Sequence, residues 1–437
     1  MHDLINQLIT AALAAVDPFT AIQNHLRLDG ENLVIGERVI NLTVGVASRN
    51  ENRDLRCIAV GKAAVPMARS IHSLLGSRIL QGLVVTKSDH LQDVKFPESW
   101  ETLESAHPVP DDLSLHAGDR VWELLADCTD RTLVLACISG GASALVVAPH
   151  NWNALNRLLT SPPTAEISEE TQQLIQSVLL SSSIDFSTVN PEQNISLPAL
   201  QAIGTALLGS GLSIEKINAV RSQIDRLKGG GLVDRVGAGK VIGLILSDVI
   251  GDPIGSIASG LTDRPHAENI LVGNNLQACE AVATLARLMG YNPQIVTTEW
   301  DGEARDRGEE IARAIITQPA KTILIYGGET TVNLPKNCTG IGGRNTELAL
   351  AAAIELAINK IPAWITTLAT DGTDGPTDAA GATVNETTID RALALGLDAR
   401  LALDRHDSYP FFKQLKDLHI IGATGTNVAD ITISIRP

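Results

Sequence analysis

The sequence predicts an α/β protein of two domains, the first built on a doubly wound parallel sheet. Three observations carry this. At 437 residues the chain is too long for one comfortable core and suits two compact domains. Hydrophobic residues make up 44% and aromatic ones only 3%, which suits close helix-on-sheet layers better than an aromatic-rich sandwich. Short β-branched runs also alternate with helical patterns through the first half, the rhythm of βαβ units.

The elements follow in order. Leu4, Ile5, Leu8, Ile9, Ala12 and Val16 recur at helical spacing, predicting an amphipathic first helix that ends near Asp17-Pro18. It does not read as a secretion signal, because no lysine or arginine precedes the apolar stretch and Asp3 stands where positive charge is wanted. No apolar run approaches the ~18 residues of a membrane span. Cys57–Val60 reads as a buried strand, followed by Gly61-Lys62 and a helix through Met67, Ile71, Leu74 and Leu75. Leu83–Val85 and Leu133–Ile138 are further strands. From about 150 to 197 the chain turns rich in Ser, Thr, Pro and Asn, predicting an insertion with one helix over 167–180, a lid or an oligomer contact. Ile214–Leu227 is a helix running to Lys228 and stopped by Gly229-Gly230-Gly231, and Val241–Leu246 is another apolar strand. Pro265 and nearby charges break the pattern, so the expected domains are 1–266 and 267–437. The second carries a helix over 271–288, strands at 322–326 and 364–369, and a helix over 347–358.

Lysine plus arginine number 34 against 50 aspartates and glutamates, a formal charge of −16. A chain this acidic repels phosphate backbones and anionic lipid, so neither nucleic acid nor membrane is an expected partner, and any bound anion needs a local basic site. The five cysteines show no metal-ligand spacing, and Cys57 and Cys137 fall in apolar strands; buried reduced thiols and a cytoplasmic location are expected. A homodimer is a further expectation.

Four stretches carry groups suited to chemistry. Lys62 leaves the end of a strand at the start of a helix, where a phosphate or carboxylate is its natural partner; a surface lysine capping a loop is the plainer alternative. Ser139-Gly140-Gly141-Ala142-Ser143 ends another strand, so its amides can face an anion or simply form a tight turn. Asp248 and Asp252 follow the strand ending at Leu246 and could hold Mg²⁺, or serve as a cap and a turn. Glu329 in a Gly-Gly-Glu-Thr-Thr loop, Arg344 at a glycine-lined helix start, and Asp371, Asp374 and Asp378 make the richest set. The arginine can fork onto a carboxylate or phosphate, and the aspartates can bind metal, orient a hydroxyl or form Asx turns. Leu145 breaks the hydrolase elbow G-x-S-x-G, no G-x-G-x-x-G follows a predicted strand, and Gly239-Lys240 lacks the rest of a Walker loop.

The strings AVGKAA, ESAHPVPD, ISGGASAL, NAVRSQIDRLKGGGL, LILSDVIGDP, GGETTV, GGRNTELALA and TDGTDGPTDAAGA, in this order, resemble the glycerate 2-kinase family. The resemblance covers most of 60–382 apart from the insertion. It implies a Rossmann-like N-terminal domain, a smaller C-terminal MOFRL domain, and a catalytic cleft between them. It also implies phosphorylation of D-glycerate to 2-phosphoglycerate by ATP with a divalent metal. Two positions depart from the family's usual strings: Ala142 replaces a third glycine, and Leu261 replaces a proline.

On that resemblance Lys62 and Arg344 supply positive charge to the transferring group, or one clamps the glycerate carboxylate, and replacing either is expected to abolish turnover with the fold intact. Amides at Ser139, Gly140, Gly141 and Ser143 cradle ATP phosphates, joined by Lys228, Gly229 and Gly230. Arg221 and Glu329 face the substrate, Asp248 or Asp252 holds Mg²⁺, and Asp371 or Asp374 orients the 2-hydroxyl. Alternatively, Arg221 and Lys228 are dipole-complementing charges at a helix end. The rival functions are an NAD(P)H-dependent hydroxypyruvate reductase and a non-catalytic protein that binds a small acid.

Overall fold

The computed structural model describes residues 1–46, 49–91, 94–182 and 189–437. The chain forms two compact units. One comprises Pro18–Ser247 with Asp252–Val272, the other Met1–Asp17 with Asp248–Gly251 and Gly273–Pro437. This grouping differs from a single cut after residue 266. Periodicity marks an apolar face on the helix His2–Ala15 but not its partner: Leu4, Ile5, Leu8, Ile9 and Ala12 are buried, and the helix packs against Asn275–Leu288, far along the chain.

In the first unit the apolar runs extend into a six-stranded sheet. Its order is Glu268–Gly273, Lys240–Leu246, Thr132–Ile138, Asp54–Val60, Ile79–Lys87, Trp100–Ser105. The four ladders joining the last five strands are parallel. From Asp54–Val60 the chain builds outward on one side, then returns to build on the other. The switch point therefore falls between Asp54–Val60 and Thr132–Ile138, where open α/β sheets bind ligands beyond the strands' carboxyl ends. Strands buried on both faces explain the uninterrupted apolar runs.

The segment 150–197 holds more helix than its composition suggests. Trp152–Thr160 and Glu169–Ser181 both lie in it, capped by the side chains of Asn151 and Ser168, and residues 183–188 lie outside the described set. With Leu197–Gly209 and Ile214–Ile224 these helices bury a core of their own, including Trp152, Leu155, Ile175, Leu179, Ile203 and Val220. Polar spacing residues mask this periodicity, because each helix shows only a narrow apolar stripe to its neighbours. A further adjustment concerns 271–288: residues up to Gly273 are strand, and Asn274 then caps a helix over Asn275–Leu288 by accepting from the Gln277 amide at 3.1 Å.

The second unit carries a mixed six-stranded sheet, ordered Asn292–Trp300, Thr322–Gly328, Asp430–Arg436, Trp364–Ala369, Gly381–Asn385, Leu418–His419. Asp430–Arg436 runs antiparallel to both of its neighbours, so its first residue lies opposite Gly328 on one side and Ala369 on the other. Two loops some forty residues apart, beginning at Glu329 and Thr370, thus flank Asp430. The helix Arg344–Asn359 lies against this sheet with Leu348, Ala349, Ala352 and Leu356 buried.

Candidate active site

The first unit's site begins at the switch point. Val60 and Ile138 lie opposite each other, and the loops after them are tied together by backbone. Ser139 N donates to Val60 O at 3.0 Å, and Lys62 N to Gly140 O at 2.9 Å. The buried Ser139 hydroxyl accepts from Ala63 N at 3.0 Å, so this serine joins two loops rather than meeting a phosphate. Gly61 stands at φ 128°, and a Cβ there would come within 2.2 Å of Ser139 Oγ; only glycine allows the approach. The result presents Lys62 beside the Gly140-Gly141 turn. Gly141, at φ 87°, precedes the short helix Ala142–Leu145, and the Ala142 methyl is wholly buried, so the departure from a third glycine is absorbed by packing. The Ser143 hydroxyl lies 2.9 Å from that of Ser259, which donates to Asn218 Oδ1 at 2.9 Å.

Two imidazole rings stand near this turn. His90 Nδ1 lies 3.3 Å from Lys62 O, and a Cβ on Gly141 would meet the His107 ring at 3.2 Å. Burial, and then the charges of Lys62, Lys87 and His90, lower the His107 imidazole from 6.5 to about 4. It is therefore neutral at physiological pH. An unfolded histidine takes a proton below 6.5, so this burial favours the fold above that value, and the advantage is lost as pH falls toward about 4. His107→Gln is expected to weaken that dependence: denaturant midpoints measured near pH 7 and near pH 5 should differ less in the variant than in the native protein.

A cavity of ≈ 280 Å³ opens beside the turn, with Gly141, Ser143, Arg221 and Lys228 in its wall. Lys228 Nζ donates to Asp225 Oδ2 at 2.5 Å, and both are buried. Burial lowers the Lys228 ammonium and the Asp225 carboxylate opposes it. Burial also lowers Arg221, whose Nη1 reaches Asn218 Oδ1 at 3.4 Å. Gly229 and Gly230 do not offer their amides to a ligand: Gly229 N donates to Ser259 O at 2.9 Å and Gly230 N to Gly260 O at 2.6 Å. Their place is to turn the chain so that Lys228 enters the cavity wall.

In the second unit Arg344 is the first residue of its helix, where the dipole disfavours a cation. Carboxylates offset that. Its guanidinium forks onto Asp430, Nε to Oδ2 at 2.5 Å and Nη2 to Oδ1 at 3.1 Å, while Nη1 meets Glu329 Oε1 at 2.5 Å. Burial works against the arginine's charge, but Asp430 and Glu329 raise it well above the ordinary value. Burial raises the Asp430 carboxyl against the pull of Arg344. It raises Glu329 likewise, with Asp430, Asp248 and Asp371 adding like-charge repulsion. Asp248 accepts from Asn427 Nδ2 at 3.1 Å. Asp371 forms an Asx turn, accepting from Thr373 N at 3.0 Å.

Asp374 corrects the expectation that it orients the attacking hydroxyl. It is 1% exposed, and its oxygens accept from Asn345 N at 2.9 Å, Thr346 N at 2.8 Å and Thr346 Oγ1 at 2.8 Å. Burial pushes it up to about 6 against these bonds. Gly343 allows it in, since a Cβ there would lie 2.3 Å from Asp374 Cγ. Asp374 is a positioning residue that caps the helix carrying Arg344. Asp374→Ala leaves buried amides unpaired and should cost about 2–3 kcal/mol in denaturant unfolding, with kcat falling as Arg344 shifts. An unchanged midpoint would remove this role.

For a divalent cation the donor chemistry fits in part. Among the described residues no three His, Cys, Asp or Glu stand ready to hold a metal. Asp248 and Asp371, whose charges both act on Glu329, offer the hard oxygen donors that Mg²⁺ takes together with phosphates. Asp252, the other aspartate expected to hold the cation, falls in the other unit.

Sequence reasoning missed Asp430, Asp225 and His107. A signal for Asp430 was present: an acid opening the alternating run Ile431-Thr432-Ile433-Ser434-Ile435 just beyond a glycine-containing loop. Nothing local marks Asp225 as the partner of Lys228 beyond its three-residue spacing.

Residues 322–430 match the MOFRL family, and residues 4–190 and 164–282 match a domain of unknown function, DUF4147. The chain is 36% identical to a D-glycerate 2-kinase of Thermotoga maritima over 423 residues, covering 86% of this chain and 89% of that protein. It is 30% identical to a glycerate 2-kinase of Pyrococcus horikoshii, covering 98% and 96%. A crystal structure of a glycerate kinase from Thermotoga maritima superposes with a TM-score of 0.75 at 31% identity, covering 100% of this chain and 99% of that one.

Proposed function

Because this chain belongs to the glycerate 2-kinase family, we propose that it transfers the terminal phosphoryl group of ATP to the 2-hydroxyl of D-glycerate, releasing ADP and 2-phosphoglycerate. The observation that carries the reading is Lys62, held beside a glycine turn at the switch point of the first sheet. Phosphoryl transfer asks a protein chiefly for positioning and positive charge, and this arrangement supplies both.

In the reaction the 2-hydroxyl oxygen attacks the terminal phosphorus, the bond to the bridging oxygen breaks, and the hydroxyl proton leaves to a carboxylate. Lys62 takes up negative charge on the transferring group. Arg344, locked by Asp430 and Glu329, offers a guanidinium of fixed direction to phosphate or to the glycerate carboxylate. Asp371 orients the hydroxyl, and Asp374 holds the helix from which Arg344 projects. Asp248 is the carboxylate suited to a divalent cation arriving with ATP, which when bound neutralises phosphate charge.

The reducing cytoplasm is the proposed location, supported by five free cysteines, of which Cys57, Cys137 and Cys279 are buried. No single helix among the described residues is long and apolar enough to cross a membrane.

The test is an ATP-dependent assay across short hydroxy acids, with the product identified by phosphorus NMR. ADP release with D-glycerate and a 2-phosphoglycerate resonance are expected. No ADP release, or NADH oxidation with hydroxypyruvate, overturns the proposal.

A further inference from the structure

In the first unit the hydroxyls of Ser143 and Ser259 and the amide of Asn218 form a hydrogen-bond chain with a fixed direction. Asn218 Nδ2 donates to Ser256 O at 3.4 Å, while Oδ1 accepts from Arg221 Nη1 at 3.4 Å and from Ser259 Oγ at 2.9 Å. Turning the amide over would set oxygen against oxygen at Ser256 and N–H against N–H at Arg221, so Oδ1 faces Ser259. Ser259 therefore gives its only hydroxyl proton to Asn218. Its 2.9 Å bond with Ser143 is then one that it accepts, and Ser143 is the donor. Ser143 stands in the wall of the ≈ 280 Å³ cavity. With its proton turned to Ser259, its hydroxyl offers a ligand lone pairs and no hydrogen.

The inner end of the chain is built for this. Ser259 is 1% exposed and Asn218 7%, so bulk water does not compete for their bond. Ala258 and Ser259 also stand at φ 53° and 56°, left-handed backbone that glycine adopts freely and other residues resist. Glycine at 259 would relieve that strain, and its carbonyl could still accept from Gly229 N. What serine adds there is the hydroxyl that orients Ser143.

The chain ends at an amide oxygen, which takes up no proton near neutral pH, so it is no relay for a hydroxyl that must lose its proton. It suits a hydroxyl that keeps its proton. Resting on the kinase reading above, we propose that Ser143 is a specificity-determining residue that accepts a hydrogen bond from the 3-hydroxyl of D-glycerate, the hydroxyl that does not react. Ser259 and Asn218 are positioning residues that set the polarity of Ser143. Ionised phosphate oxygens only accept, so this hydroxyl does not pair with them. Arg221 in the same wall favours an acid beside it. The substrate class read here is a 2-hydroxy acid with a second hydroxyl; an acid lacking that group leaves the Ser143 lone pairs unmatched.

The experiment is steady-state kinetics of the whole protein with three acids: D-glycerate, D-lactate, which lacks the 3-hydroxyl, and the 3-fluoro analogue of D-glycerate, whose fluorine fills the same place but cannot donate. Native kcat/KM should fall about 10²-fold or more for both analogues alike. Ser143→Ala should lower kcat/KM for D-glycerate about tenfold or more and leave D-lactate within about threefold, so that selectivity collapses. Ser259→Ala, which frees the Ser143 proton, should narrow the same ratio by about threefold or more, whereas a merely structural role lowers both substrates equally. A native enzyme that uses either analogue within about threefold of D-glycerate, or a Ser143→Ala variant with unaltered selectivity, overturns the proposal. So does a Ser143→Ala effect confined to the discrimination between ATP and its 2′- or 3′-deoxy forms, which assigns the lone pairs to ribose. Should the variants fail to fold, judged by circular dichroism, the native analogue series decides. The kinase reading fails separately, if the native protein releases no ADP with D-glycerate. Isothermal titration calorimetry then tests Ser143 by binding: the native protein, but not Ser143→Ala, should bind D-glycerate more tightly than D-lactate, and no such difference, or no binding, overturns the assignment.

Discussion

Lys62→Ala is expected to lower kcat/KM by about 10²–10³-fold, on the order of 3–4 kcal/mol of lost transition-state stabilisation, while the thermal transition stays where it was. The two halves of this expectation have separate causes. The loop is held by backbone: Gly61 N donates to Val85 O, Lys62 N to Gly140 O, and Ser139 Oγ accepts from Ala63 N. Removing the ammonium leaves these bonds in place, so the fold should not notice. What it removes is a cation beside the glycine turn in a protein of formal charge −16, where no general positive field can substitute. A second readout comes from His107, whose imidazole is lowered by burial first and then by Lys62. In the alanine variant that histidine should titrate higher by NMR, which a misfolded loop would not produce selectively. A near-normal rate in the variant removes Lys62 from the reaction.

Arg344 should behave differently, and the expectation of an intact fold does not carry over to it. Arg344→Ala leaves Asp430, which is 7% exposed, without the guanidinium that both its oxygens accept from. Breaking a fully buried pair costs about 3–5 kcal/mol; with the arginine side chain 34% exposed, a loss on the order of 2–3 kcal/mol is expected beside the loss of turnover. Arg344→Lys separates the two effects. It keeps the charge next to Asp430 and so most of the stability, but an ammonium cannot donate in a fork to one carboxylate and reach a second. Turnover should therefore fall about 10²-fold or more with only a small shift in the unfolding midpoint. A lysine variant that retains the native rate would show that the fork is structural alone.

Much of the architecture was legible because it is written locally. Cys57–Val60, Leu133–Ile138 and Val241–Leu246 are uninterrupted apolar runs, and only strands covered on both faces need them. The places of Lys62 and Arg344 in the fold were legible too, since each stands next to glycines at the end of one element and the start of another. Asp374 was visible but misjudged. An aspartate in a loop after a strand looks the same whether it faces a substrate or two amides of a distant helix, and only the folded chain shows Asn345 and Thr346 in front of it. Gly229 and Gly230 were misread for the same reason, because the carbonyls that take their amides belong to Ser259 and Gly260.

The sequence alone determined the α/β class, the strands, the family, and which side chains could carry charge to a phosphate, because periodicity and ordered motifs are properties of neighbours along the chain. Tertiary structure decided the partners: Asp430 for Arg344, Asp225 for Lys228, a helix start for Asp374, and the packing of the first helix against Asn275–Leu288. The physical reason is that burial and hydrogen bonding depend on distance in space. For Arg344 and Asp430, 86 residues apart, that distance follows from strand order and register rather than from any local pattern.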